Sequence, residues 1–181
     1  MAPMIIETNR LTLRPLQGAD AAMITLYLSD VRLARMTALV PHPYPPGSAA
    51  SYITWANSPK VDGRVWAIGH RESDGELVGM IHLRADGEIG YWVGAPFQQS
   101  GFATEAVEAI VSHAFDSGTD ALHAQVFQDN PASAKVLSKA GFTYTGEGDG
   151  YSMARDAAVP QWNYDLEREK WMQMQSLKQS A

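Results

Sequence analysis

The period of the apolar positions changes several times along the chain, and each change predicts an element. In RLTLRPL, Leu11 and Leu13 alternate with Thr12 and Arg14, the pattern of a first strand. From Asp20 the run ADAAMITLYLSDVRLARM is apolar in too mixed a register for one helix, which predicts two short helices divided near Ser29 and Asp30. A Pro-rich loop, PHPYPP, precedes a helix predicted from about Ser48 to Trp55. Three apolar stretches follow in quick succession, Arg64–His70, Glu76–Arg84 and Glu88–Gly94, separated by RESDG and ADG. Asp-Gly turns of that kind predict an antiparallel meander.

The strongest periodicity comes next. Ala103, Ala106, Val107, Ile110, Val111 and Ala114 form one buried stripe at i, i+3, i+4 and i+7 spacing, so a helix starts near Phe102. Ala121 to Gln128 then predicts a strand running parallel to the one before that helix, because a crossover helix joins them. DNPASAKVLSKAGF carries its own punctuation: Asn130 as N-cap, Pro131 in the first helical position and Gly141 just past the end. FTYTGE and PQWNYDLER are two further alternating segments, the second with Trp162, Tyr164 and Leu166 on one face. EKWMQMQSLKQSA predicts a short helical tail that frays.

Composition narrows the classes. With 181 residues and 45% hydrophobic content, one globular domain with a sizeable core is expected over residues 1–181. The formal net charge of −6, without any Lys/Arg block, argues against extended nucleic-acid or anionic-membrane binding. MAPMIIETNRLTLRP has no apolar signal core and no run is long enough to span a bilayer, so a cytoplasmic protein is expected. Zero cysteines exclude disulfides, thiolate ligands and a thiol nucleophile. The five histidines show no metal-ligand spacing on one element, and no metal is expected.

The junction between the Ile89–Val93 strand and the Phe102 helix reads GAPFQQSGFA. Pro96 ends the ladder, and the turn plus the helix start present several backbone N–H groups with a partial positive charge. Gly101 lets an anion approach the main chain, and Ala103 does not block it. Taken alone the turn leaves two readings open, a phosphate site or an ordinary strand-to-helix turn with one glycine. It has neither the Gly-Lys-Ser/Thr of nucleotide hydrolases nor the three glycines of the dinucleotide fingerprint.

Three local matches lend it context. QQSGFA, Gln98 to Ala103, is similar to the Gln/Arg-x-x-Gly-x-Gly/Ala signature of the Gcn5-related N-acetyltransferase (GNAT) superfamily. NPASAKVLSKAGF, Asn130 to Phe142, resembles that family's Asn-x-x-Ser/Ala helix ending in Gly-Phe. ETNRLTLRPL, IGYWV and GFATEA resemble the RimJ/RimL-like branch of ribosomal-protein alanine/serine N-acetyltransferases. The resemblance spans about residues 5–171. It implies an α/β (α+β) GNAT fold: a mixed, mostly antiparallel sheet of about six to seven strands with a splayed parallel pair, flanked by helices on both faces. It further implies acetyl-CoA as co-substrate, no metal, and a primary amine as acceptor, either a protein N-terminal α-amine or a small molecule. A monomer or homodimer is expected.

The resemblance also implies site residues. The coenzyme pyrophosphate would lie on the amides of Gln99, Ser100, Gly101, Phe102, Ala103 and Thr104, with Gln98 and Ser100 at the rim. A backbone N–H of Trp92 or Val93 would meet the thioester oxygen, with pantetheine pairing along the strand that contains Tyr91, and Asn130 and Ser133 beside it. Many members carry a tyrosine at the position of Leu137, which is absent here; the ribosomal-protein branch implies instead a serine of the Asn-x-x-Ser element, matched by Ser133, for the leaving group, and the alternative is that Ser133 merely touches the coenzyme. Glu88, on the side shared with Gly90 and Trp92, is either the general base or a solvated strand-start carboxylate. Glu147 and Asp149, among the flexible glycines of GEGDG, are expected at the acceptor mouth, and the base the branch implies is matched here by Tyr151 or Ser152. A non-catalytic acyl-CoA-binding regulatory module is the alternative function.

Overall fold

The computed structural model describes residues 4–179, so the first residues of the N-terminal segment and the last two of the expected tail lie outside it. Strands β1 (Ile6–Glu7) and β2 (Leu11–Arg14) lead into helices α1 (Ala21–Leu28), α2 (Val31–Ala34) and α3 (Ser48–Ala56). The break between α1 and α2 falls at Ser29 and Asp30, where the Asp30 carboxylate caps the N–H of Arg32. The meander follows as β3 (Arg64–His70), β4 (Glu76–Leu83) and β5 (Ile89–Val93). Then come α4 (Phe102–Asp116), β6 (Ala121–Phe127), α5 (Pro131–Lys139), β7 (Thr143–Ser152), β8 (Ala157–Glu167) and α6 (Arg168–Gln179).

The strands form two sheets, an antiparallel five-stranded one in the order β1-β2-β3-β4-β5 and a three-stranded one in the order β6-β8-β7. One parallel bridge, Glu88 to His123, joins them, with the His123 N–H donating to the Gly87 carbonyl. Beyond it β5 and β6 are not paired. The splayed pair is therefore present, and the strands number eight among the described residues rather than six or seven.

Helices cover both faces. Ile89 and Val93 belong to a core shared with α4, α5 and β6, in which Val107, Ile110, Phe115 and Leu137 are fully or almost fully buried. Trp92 points the other way, into a core with α1 and α3, and meets Tyr27 edge to face at 6.2 Å. Burial on both faces explains why β3 and β4 read as nearly continuous apolar runs rather than alternating ones.

One expectation is corrected and one is met. The GEGDG glycines are held in strand β7 rather than flexible: Glu147↔Trp162 to Gly150↔Val159 are paired, just past a register irregularity between Tyr144 and Gly146. The C-terminal tail is helical as expected, and its start packs on the core, with Trp171 against buried Phe115 at 5.3 Å between ring centroids and the Met174 side chain over Gly141.

Candidate active site

The α4 turn is built as an exposed rim over a buried foot. Gln98, Gln99, Ser100 and Gly101 are exposed, whereas Phe102 is buried. Gly101 caps α4 in the left-handed region (φ 85°), and Gln99 also has positive φ (62°), a placement that costs a non-glycine residue about 1–2 kcal/mol. Such strain is found where surrounding contacts enforce a conformation. Here Ser100 Oγ donates to the Phe97 carbonyl and Gln98 Nε2 to the Val93 carbonyl at 3.1 Å. The carbonyls are thus tied down, and the amides are not. Among the described residues no acceptor takes the N–H of Gln99, Ser100, Gly101, Phe102, Ala103 or Thr104, while the Glu105 N–H closes the first helical bond to the Gly101 carbonyl. Six consecutive unpaired donors thus lie at the positive end of a 15-residue helix, beside the exposed rim.

Arg10 is the neighbour that sequence reasoning missed. Its Nη1 donates to the Ser100 carbonyl at 2.9 Å, and its guanidinium lies over the Phe102 ring at 4.8 Å. A Cβ added at Gly101 would stand 3.2 Å from Nη2. Glu105 holds this arginine in place, accepting from Arg10 Nε (2.7 Å), the Arg10 N–H (2.8 Å) and Thr8 Oγ1 (2.7 Å). Burial alone would raise the Glu105 carboxyl, but these hydrogen bonds outweigh it and hold the group below its ordinary value.

The edge of β5 supplies the next donors. At the ends of its ladder with β4, the Gly94 N–H bonds the Val78 carbonyl and the Arg84 N–H bonds the Glu88 carbonyl. Antiparallel alternation then turns the amides of Gly90 and Trp92 toward β4 and those of Tyr91 and Val93 toward the cleft between β5 and β6. Of the two amides considered for a thioester oxygen, only that of Val93 faces the cleft.

On the far side of the cleft, Asn130 caps α5, its Oδ1 accepting from the Ser133 N–H at 3.3 Å. The Tyr91 hydroxyl lies 2.9 Å from Ser133 Oγ and 3.1 Å from the Ser133 carbonyl. Burial pushes the Tyr91 hydroxyl well above the ordinary phenol range, and the Ser133 contact offsets this only in part. Leu137, one turn on, is fully buried and offers no polar group.

Glu88 sits at the closed end of the cleft, beside the bridge to His123. Arg84 Nε approaches its carboxylate at 3.7 Å, and His82 stands over Gly90, where a Cβ would come within 2.3 Å of the imidazole. Burial lowers the His82 pKa, against a smaller raising effect from Glu88, and its Nε2 has no partner among the described residues. Asp86, Glu88 and His123 bring ligand atoms within 4.8 Å of one another, a cluster invisible along any single element. Arg84 already lies 4.0 Å from Asp86 and 3.7 Å from Glu88. Glu147 and Asp149 are exposed on β7, Tyr151 is 55% exposed, and Ser152 is fully buried with its hydroxyl unpaired among the described residues.

The β5–α4 junction thus sets a row of unpaired amides at a helix start beside a strand edge and its splayed partner. Residues 10–143 match the acetyltransferase (GNAT) domain. The chain belongs to the GNAT family. As a GNAT enzyme it is an acetyl-CoA-dependent acetyltransferase. The uncharacterised N-acetyltransferase YoaA of Bacillus subtilis (strain 168) is 33% identical over 152 residues, covering 78% of this chain and 84% of YoaA. The fold is shared with the microcin C7 self-immunity acetyltransferase MccE, solved with acetyl-CoA and AMP (TM-score 0.77, 19% identity, 88% of this chain and 93% of that one). It is also shared with RimL, a ribosomal L7/L12 alpha-N-protein acetyltransferase solved with coenzyme A (TM-score 0.78, 16% identity, 91% and 98%). Among the described residues no helix of this GNAT protein is long and apolar enough to cross a membrane.

Proposed function

We propose that this enzyme acetylates a primary α-amine at a protein or peptide N-terminus, by direct attack on acetyl-CoA in a ternary complex within a single domain. The observation that carries the reading is the row of six unpaired amides from Gln99 to Thr104 at the start of α4. A diphosphate satisfies such donors with no cationic side chain in the motif itself, which suits a chain with a net charge of −6. The cleft edge of β5 takes the pantetheine, and the Val93 amide donates to the thioester oxygen as negative charge develops there. Asn130 fixes the start of α5, and the Ser133 hydroxyl donates a hydrogen bond to the departing thiolate. Glu88 receives the proton of the amine through a chain of water, from the face shared with Gly90 and Trp92, because five strand residues at about 3.3 Å each separate it from Val93. The acceptor class follows from that base. An α-amine has a pKa near 8, against about 10.4 for a lysine, so a carboxylate ion-paired to Arg84 suffices for it. The likeness to RimL, named for α-amine acetylation, supports the same choice. A cytoplasmic setting, where acetyl-CoA and nascent N-termini meet, belongs to this reading.

Mass spectrometry of products after incubation with acetyl-CoA, N-terminal peptides and a panel of small amines tests it. Acetylated peptide α-amines with stoichiometric thiol release are expected. Tight coenzyme binding without thiol release across the whole panel would instead identify an acyl-CoA-binding regulatory module, the reading that the buried Leu137 at the tyrosine position favours.

A further inference from the structure

Ser133 is held from three sides, and the third is the unexpected one. Its N–H is capped by Asn130, its helical position is the third of α5, and a side chain from the opposite wall of the cleft, Tyr91 of β5, reaches both of its oxygens. The Ser133 carbonyl can only accept, so the 3.1 Å contact aims the phenol hydrogen of Tyr91 at Ser133. With Oγ 2.9 Å from the same phenol oxygen, either hydroxyl can donate in that second contact: Ser133 shares the phenol hydrogen or gives its own to the phenol oxygen. In the shared arrangement the serine oxygen accepts and its own hydrogen is free to turn to a charge that develops in the cleft.

We infer that Tyr91 is a positioning residue that directs the Ser133 hydroxyl hydrogen toward the departing coenzyme thiolate, replacing from β5 the hydroxyl that Leu137 cannot supply from α5. This rests on the role given to Ser133 above. When the tetrahedral adduct collapses, the C–S bond breaks and its electron pair goes to sulfur. The Ser133 O–H donates a hydrogen bond to that sulfur while its oxygen accepts from Tyr91, and the polarised chain stabilises the charge. No proton leaves Tyr91, whose ionisation burial opposes. The proton that finally resides on sulfur is the one released by the acceptor nitrogen, so the balance of the reaction is unchanged.

The Tyr91→Phe variant removes one oxygen and keeps the ring. Its kcat is expected to fall about tenfold, the worth of one neutral hydrogen bond, with coenzyme A affinity unchanged in a direct titration. Ser133→Ala should slow turnover at least as much, and the double variant should be no slower than Ser133→Ala alone, because both changes break one chain. A slow Ser133→Ala enzyme beside a Tyr91→Phe enzyme of wild-type kcat overturns the inference while leaving Ser133 its role. Multiplicative losses in the double variant overturn it as well. Wild-type turnover in Ser133→Ala overturns the role of Ser133 and the inference with it. If Tyr91→Phe fails to fold, 3-fluorotyrosine at position 91, a stronger donor, takes its place: a raised kcat is expected, and an unchanged one counts against the relay.

Discussion

Arg10 and Glu105, 95 positions apart in sequence, meet with Nε 2.7 Å from Oε2 and so tie the turn between β1 and β2 to the first turn of α4. The pair sets a cation beside the α4 turn without putting one in the motif. Glu105 offsets the charge of Arg10, and what remains for the guanidinium is to hold the Ser100 carbonyl away from the rim.

Arg10→Ala should therefore raise the KM for acetyl-CoA about tenfold with kcat little changed, the signature of lost uniform binding. Arg10 is partly exposed, so the ion pair itself contributes less than about 1 kcal/mol to folding. Arg10→Lys should not restore the KM, because an ammonium cannot bond Glu105 and Ser100 while covering Phe102. Steady-state kinetics decide, and an unchanged KM would mean that the turn keeps its shape unaided.

Gly101 carries the second expectation. An alanine at φ 85° costs about 1–2 kcal/mol in folding, and its Cβ stands 3.2 Å from Arg10 Nη2 in the space over the amides. The Gly101→Ala protein should melt at a lower temperature and bind coenzyme A at least about tenfold more weakly, since a charge-assisted hydrogen bond is lost. Calorimetric titration on the folded variant separates the two effects. Full affinity would remove the turn from the coenzyme site.

Acid should expose the Glu105 contacts. A carboxyl held below its ordinary value stabilises the fold above the unfolded-state pKa near 4.3, and the contribution disappears as pH falls through the lowered folded value. Wild type should thus exceed Glu105→Gln in stability at pH 7, with the gap closing below about pH 4. Denaturant titrations across that range read the gap directly, and a constant difference would locate the effect in packing.

What the sequence made legible was local. The α4 stripe, the Asn130 cap and Pro131 each lie within one element, so period and punctuation reveal them. The splay between β5 and β6 depends on a single bridge between Glu88 and His123, which no local pattern encodes. The choice of Val93 over Trp92 follows from the register of β4 on β5, and that is fixed by the hairpin as a whole. Arg10 was in plain view within ETNRLTLRPL, but its partner lies across the fold. FTYTGE revealed the start of β7, but the glycines of GEGDG hid its continuation to Ser152, because low strand propensity there is overridden by pairing with β8.

Glu88→Gln tests the base. The carboxylate stands at the closed end of the cleft with Arg84 at 3.7 Å and with Asp86 and His123 beside it, while burial lowers the pKa of His82 over Gly90. If Glu88 takes the proton of the amine, the amide variant keeps the shape and removes the acceptor, and kcat/KM at pH 7 should fall by roughly 10². Loss of the Arg84 ion pair adds little, because both side chains are partly exposed. The deficit should shrink as pH rises past the pKa of the acceptor, near 8 for an α-amine, since the free amine then needs no base. Coenzyme A affinity should not change, as Glu88 lies beyond Gly90 from the α4 turn. A pH–rate profile identical to wild type would mean that the amine enters neutral, leaving the enzyme to position it and to supply the Val93 amide and the Ser133 hydroxyl.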